Sequence, residues 1–211
     1  MVYNPYMIYI SELAGSELID CLRQKDEVTL IRPSGHSDDR ISTHADIYMC
    51  RINDTIVSAG PDFRCSGYPE DCAYNAACTG RFLIANTEHL DPAVISEARR
   101  QGLEILHVKQ GYARCNVLPV DETSVITSDR GIYTSVGDRL DVLLISPGSI
   151  KLKGFPYGFI GGTAGRIGDT IYFNGDIDAH PDGKAIRTFI EQRGIDIVDF
   201  DYPLEDIGSI I

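Results

Sequence analysis

The hexapeptide RINDTI (Arg51–Ile56) returns later in the chain as RIGDTI (Arg166–Ile171). In both copies an Asn-Asp or Gly-Asp pair lies between β-branched residues, and such pairs favour tight hairpin turns. Each copy therefore predicts two antiparallel strands joined by a short turn. Recurrence of the motif more than one hundred residues later indicates a fold assembled from repeated units.

Two further segments share this pattern of a small or polar start, a turn and a β-branched run. The four predicted hairpins are His44–Gly60, Asp71–Asp91, Ala113–Asp129 and Phe159–Asp176. A helix and a strand follow the second and fourth hairpins, whereas the third is followed by the shorter stretch VGDRL and then the strand DVLLIS. The segment after the second hairpin has the clearest helix signals, with Asp91 as N-cap, Pro92 at the first helical position and Gly102 past the end. The predicted unit is β-β-α-β.

A fifth unit is divided between the two ends of the sequence. LEDIGSII (204–211) predicts a first strand, and YMIYI (6–10) predicts a second strand, followed by the helix SELIDCLRQ and the strand VTLIR. Pairing of the terminal strands would close five units into a ring without exposed sheet edges. We expect a single domain over residues 1–211. An open α+β sandwich is the alternative.

Composition excludes several classes of protein. The chain has 211 residues and a formal net charge of −12, which disfavours nucleic acid as a partner. No apolar run is long enough for a membrane span, and the N-terminal residues carry acidic rather than basic side chains, so we expect a cytoplasmic protein without a signal peptide. The six cysteines are then expected as thiols. Their spacing matches no common zinc motif, so no metal or cofactor is predicted.

Three segments resemble the pentein superfamily, the five-bladed α/β propellers of the guanidino-group-modifying enzymes. His44-Ala45-Asp46 is similar to the His-x-Asp of the deiminases and hydrolases, and FIGGTAG (159–165) is similar to their Gly-Gly strands. ARCNVLPVDETSVITSD (113–129) is equally similar to the Asn-containing repeats of the ribosome anti-association factors, which are not enzymes. The resemblance implies a pentein-type propeller of ββαβ blades and a separate bacterial branch of the superfamily.

In such a ring the first strand of each unit lines the axis, and alternate residues point inward. The predicted axial pocket therefore contains polar residues at matched positions and their neighbours two residues away. These residues are His44, Asp46, Asn75, Arg114, Asn116 and Asp206. A purely structural role is the alternative, since repeated Asn and Asp side chains commonly bind backbone amides.

The enzymes of this superfamily use a thiolate to attack a guanidinium carbon, with His as general acid and base. By this resemblance His44 would supply the proton transfer, and Asp46 or Asp206 would be the carboxylate that holds the cationic nitrogens, so His44 and Asp46 are the predicted catalytic residues. Asn75, Arg114, Asn116 and Asp206 are the predicted ligand-binding residues. The matching terminal segment LEDIGSII contains no cysteine, and its Ser209 has no predicted base. Cys72 and Cys115 remain candidate nucleophiles, although strand alternation directs Cys115 away from the axis.

Three functions follow from these observations. The first is binding of a small amino-acid-like or guanidino ligand without the usual catalytic cysteine. Arg114 favours a ligand with a carboxylate. The second is hydrolysis or amidino transfer with a relocated cysteine, and the third is an interaction module. The irregular segment Pro61–Asp71, together with Arg40–Thr43, is a candidate lid over the site.

Overall fold

The structure, a computed structural model, describes residues 7–33, 35 and 37–211. It is a mixed α/β fold in which the described residues form five small sheets. The strands are β1 (Ile8–Ser11), β2 (Val28–Ile31), β3 (Met49–Ile52), β4 (Thr55–Ser58), β5 (Ala77–Cys78), β6 (Phe82–Ala85), β7 (Glu104–His107), β8 (Val117–Pro119), β9 (Ser124–Thr127), β10 (Asp141–Leu144), β11 (Ala164–Ile167), β12 (Thr170–Phe173) and β13 (Asp196–Val198).

Six α-helices occur in the same part of the chain, two of them single turns. They are α1 (Ser16–Arg23), α2 (Ala45–Tyr48), α3 (Pro92–Arg100), α4 (Ala113–Asn116), α5 (Arg130–Val136) and α6 (Gly183–Glu191). Short 3-10 helices cover Glu70–Cys72, Gly161–Thr163 and Ile177–Ala179.

All four predicted hairpins are confirmed as antiparallel pairs, namely β3–β4, β5–β6, β8–β9 and β11–β12. The turns explain why the hexapeptide recurs, because Asn53 and Gly168 occupy the same turn position with φ angles of 50° and 59°. Asn and Gly are the residues that adopt this left-handed conformation most readily.

The second, third and fourth hairpins continue into a helix and a parallel strand, which confirms the β-β-α-β order. Helices α3, α5 and α6 connect the two strands of the parallel pairs β6–β7, β9–β10 and β12–β13. The sequence did not predict α5. Its N-cap Asp129 accepts hydrogen bonds from the amides of Gly131 and Ile132, and these bonds offset the weak helix propensity of a seven-residue segment.

The two ends of the chain meet. Tyr9 in β1 donates its amide to the Ile211 carbonyl at 2.5 Å, and the Ile211 amide returns a bond of 2.9 Å. The predicted strand 204–211 is otherwise irregular, with one isolated bridge between Glu205 and Lys151. Tyr6, the first residue of the other predicted terminal strand, lies outside the described residues.

The longer helices bury one face each against the sheets. Helix α3 buries Val94 and Ala98, and α6 buries Ile186 and Ile190. The apolar residues recur at i and i+4, which is the spacing of a helix with one apolar face. None of the helices in the described ranges has both the length and the apolar character needed to cross a membrane.

Leu83 is fully buried in β6, in a cluster that includes Leu90 and Val94. We expect Leu83→Ala to lower the free energy of unfolding by about 2–5 kcal/mol, because the truncation leaves a cavity. Leu13 is 59% exposed, so the matched control Leu13→Ala should change it by less than about 0.5 kcal/mol. Urea unfolding measures both values, and equal effects would contradict this description of the core.

Candidate functional site

Helical turns, rather than strands, carry three of the six predicted pocket residues. Asp46 lies in α2, and Arg114 and Asn116 lie in α4. The strands of these hairpins begin only afterwards, so the prediction that side chains alternate along a strand at these positions is wrong. A helical turn presents neighbouring residues differently from a strand.

Asp46 lies at the centre of a buried polar cluster. Its Oδ2 accepts hydrogen bonds from the Ser209 hydroxyl at 2.7 Å and from the Cys115 thiol at 3.0 Å. Its Oδ1 is buried and has no hydrogen-bond partner among the described residues. Strand alternation predicted that Cys115 points away from the pocket residues, and this is wrong, because α4 turns its thiol towards Asp46.

Asn75 holds this cluster together. Its Oδ1 accepts the amides of Arg114 at 2.7 Å and Cys115 at 3.2 Å. Its Nδ2 lies 3.3 Å from the Cys115 sulfur and 3.4 Å from the Asp46 carbonyl. These contacts use both ends of the amide, so Asn75 positions Asp46 and Cys115 instead of offering a free group to a ligand.

Arg114 binds the backbone of three segments. Its guanidinium donates to the carbonyls of Gly161 at 2.8 Å, Ala164 at 2.9 Å, and Val117 and Ile210 at 3.3 Å. Because four carbonyls surround the guanidinium, its geometry supports a structural role, and the predicted contact with a ligand carboxylate gains no support from it.

Asn116 and Asp206 likewise bind the backbone. The Asn116 side chain donates to the Tyr112 carbonyl one helical turn earlier at 2.9 Å. Asp206 accepts the amides of Phe159 at 2.9 Å and Gly208 at 3.0 Å. A Cβ on Gly162 would lie 1.9 Å from Asp206 Oδ1, so the glycine is needed for this close approach.

Burial dominates the electrostatics of the cluster. It raises the pKa of Asp46, and the charge of Asp206 adds to this effect, whereas His44 opposes it. Burial also raises the pKa of Asp206 to about 6, although the amides of Gly208 and Phe159 favour its ionised form. His44 is 6% exposed, and burial lowers its pKa although Asp46 acts in the opposite direction. At neutral pH His44 is therefore uncharged.

Both candidate nucleophiles are protonated thiols. Burial raises the pKa of Cys115 well above its usual value, and the charges of Asp46 and Asp206 add to this effect. Cys72 lies in the 3-10 helix beside Asp71, with 3.6 Å between its sulfur and Asp71 Oδ1. Burial and this carboxylate raise the pKa of Cys72 as well. Neither environment generates the thiolate that nucleophilic attack requires.

Three loops meet beside α2 and form what we call the cap. The cap forms one apolar cluster with Ile47 and Tyr48 of α2, through its residues Ile41, Phe63, Cys65, Leu152 and Phe155. The Arg40 guanidinium lies 4.2 Å from the centre of the Phe155 ring and donates to the Gly154 carbonyl at 3.1 Å. The two segments of the candidate lid thus contribute Ile41 and Cys65 to the same apolar cluster.

A cavity of about 610 Å³ lies at the turn ends of the hairpins. Four hairpin turns contribute to its lining, through Asn53 and Asp54, Thr79 and Gly80, Asp121 and Glu122, and Gly168. Of the predicted site residues, only Arg114 is among the described residues that line it.

One carboxylate cluster elsewhere has atoms close enough to hold a metal ion. Asp176, Asp178 and Asp199 offer oxygens within 4.8 Å of one another, the one such group found within the described ranges. Arg187 already pairs with Asp178 at 2.9 Å and with Asp199 at 2.6 Å. This guanidinium neutralises much of the charge that would attract a cation.

Sequence reasoning gave Ser209 no role. The residue is fully buried, and its backbone has a φ angle of +72° although it is not glycine. Such conformations are costly for residues with a side chain and are concentrated at functional sites. The sequence shows that Ser209 follows Gly208 and lies close to Asp206. Its contact with Asp46, 163 residues away, follows only from the fold.

The chain belongs to a family described as "Family of unknown function (DUF6873)", which matches residues 57–211. The matched region contains Asn75, Arg114, Cys115 and Ser209, whereas His44 and Asp46 precede it. No curated protein matches the sequence.

Replacement of Arg114 tests its structural role. We expect Arg114→Leu to lower the free energy of unfolding by about 3–5 kcal/mol, because four carbonyls and two carboxylates lose their buried cation. Arg99 is exposed on α3, and Arg99→Leu should have an effect below about 0.5 kcal/mol. Chemical denaturation of both variants decides this, and a stable Arg114→Leu protein would refute the structural role.

Proposed function

We propose that the chain is a single-domain, five-bladed α/β propeller of the pentein type, whose axial cluster binds a small cationic ligand of the amino-acid-like or guanidino class. Support for the propeller comes from the five small sheets, the repeated β-β-α-β order and the pairing of Tyr9 with Ile211. The contacts of Arg114 with Ala164 and Ile210 join three of the sheet-bearing units at one point, as a central axis would require.

The open oxygen of Asp46 is the observation that carries the proposed ligand class. Oδ1 is buried and lacks a partner among the described residues, and a buried acceptor in this state costs free energy until a donor reaches it. An N–H of an ammonium or guanidinium group is the donor that a carboxylate binds most strongly.

The net charge of the cluster supports a cation. Asp46 and Asp206 carry two negative charges when ionised, Arg114 carries one positive charge, and His44 is neutral at pH 7. A singly charged cation would bring the cluster to neutrality, which lowers the cost of holding charges away from water.

Access requires movement, because the cluster is nearly closed. Asp46 and Ser209 are fully buried, and Cys115 and His44 are only 5% and 6% exposed. The cap packs against α2, which carries Asp46. We therefore assign the route of access to the cap, whose loops meet in a small cluster with three buried residues.

Binding, rather than catalysis, is the function that this geometry favours. Hydrolysis through Cys72 or Cys115 would need a thiolate, and both thiols lie against carboxylates that oppose ionisation. An interaction module remains an alternative, but no feature of the described surface identifies its partner. The cytoplasmic location and the absence of a metal or cofactor stay as predictions from the sequence.

n-Butylguanidinium and n-butylurea are a matched probe pair, because they differ in the charge of the terminal group and neither carries an ammonium group elsewhere. n-Butylguanidinium should raise the melting temperature of the protein, n-butylurea should not, and Asp46→Asn should abolish the shift because the charged acceptor is lost. Asp20 is exposed with its side chain 71% accessible, so Asp20→Asn is the control that should keep the shift. Equal shifts with both compounds, or a shift retained in Asp46→Asn, would reject the proposed site.

Affinity for a permanent cation should rise as the pH passes through about 6, to which burial raises the pKa of Asp206. Burial also raises the pKa of Asp46 in the free protein, and a bound cation would lower it again, so binding releases a proton. The lowered pKa of His44 acts in the same direction. Calorimetry with agmatine in buffers of different ionisation enthalpy measures the proton release, and affinity that falls with pH would contradict the mechanism.

A further inference from the structure

The two oxygens of Asp46 are not equivalent. Oδ2 accepts two hydrogen bonds, from the Ser209 hydroxyl at 2.7 Å and the Cys115 thiol at 3.0 Å. A carboxylate oxygen has two lone pairs, so these donors fill it. Oδ1 has both lone pairs open.

The occupation of Oδ2 is fixed by the surrounding backbone. The Ser209 amide donates to the Gly162 carbonyl at 2.9 Å, and the residue is fully buried. The amide of Cys115 and its sulfur both contact the side chain of Asn75. The first contact fixes the backbone of Ser209, and the Cys115 thiol cannot leave Oδ2 without losing its contact with the Asn75 side chain.

We propose that Ser209 and Cys115 make the site selective for an ammonium group over a guanidinium group. This inference rests on the proposed binding function and decides between the two ligand classes that it leaves open. A guanidinium binds a carboxylate best through two parallel N–H bonds, one to each oxygen. Because Oδ2 is filled, Asp46 offers only Oδ1, and a compact ammonium nitrogen loses nothing when it binds a single oxygen.

Two consequences distinguish this arrangement from a general cation site. The protein should bind a primary alkylamine better than the alkylguanidine of the same chain length. Removal of either donor on Oδ2 should restore a two-oxygen acceptor and improve guanidinium binding relative to ammonium binding. Ser209 and Cys115 are therefore positioning residues that act on the ligand through Asp46.

The test uses n-butylammonium and n-butylguanidinium chlorides with the full chain, by calorimetry at pH 8. For the wild-type protein we expect a Kd about tenfold lower for n-butylammonium, the factor that corresponds to one charge-assisted hydrogen bond. Ser209→Ala should remove or reverse this preference. Ser135 is exposed on α5 and donates to the Gly131 carbonyl, so Ser135→Ala should keep it.

Cys115→Ala is the second variant, since it frees the other lone pair of Oδ2 and does not alter the positive φ angle at Ser209. Its preference should move in the same direction as that of Ser209→Ala. A wild-type protein that binds both probes through Asp46 but favours n-butylguanidinium would overturn the selectivity and leave the binding function intact. If neither probe binds wild type, the proposed function itself fails. Unchanged ratios in both variants would overturn the role of Ser209 and Cys115.

Discussion

The buried guanidinium of Arg114 is the interaction on which the centre of this protein depends. It donates to carbonyls of its own hairpin, of the segment Gly161–Ala164 and of Ile210. These carbonyls belong to three segments that are distant in the sequence, so one guanidinium links all three at a single point. A guanidinium is planar and has five N–H donors, which lets one side chain serve several acceptors at once. Its positive charge also stabilises the ionised forms of two buried carboxylates nearby, those of Asp46 and Asp206.

The hairpins and long helices could be predicted because their signals are local. Tight turns need residues that tolerate a positive φ angle, and the Asn-Asp and Gly-Asp pairs supply them at Asn53 and Gly168. Helix α3 begins at an Asp-Pro pair and buries residues with helical spacing. The recurrence of small polar residues in apolar segments also identified Asp46, Asn75 and Asp206, since few polar side chains are buried without a specific partner.

The local geometry around these residues could not be predicted. A single helical turn such as α2 or α4 has four residues, too few to show a periodicity that differs from that of a strand. A strand at Cys115 would direct its thiol away from Asp46, whereas the helical turn α4, which precedes β8, directs the thiol towards Asp46. The predicted direction of the Cys115 side chain was therefore the reverse of the observed one. The contact of Ser209 with Asp46 needs both a left-handed backbone and the meeting of distant segments. Neither condition has a local sequence signal, because L-residues other than Asn and Asp seldom adopt that conformation.

The asymmetry of the Asp46 carboxylate is difficult to explain by stability alone. Two donors converge on Oδ2 while Oδ1, equally buried, has no partner among the described residues. A buried acceptor left without a donor costs about 1–3 kcal/mol, and an unpaired carboxylate raises its own pKa for the same reason. A carboxylate that only joined α2 to the terminal segment would be more stable with one donor on each oxygen. Filling one oxygen twice and leaving the other open is the arrangement expected of an acceptor that is held in place from one side and binds from the other.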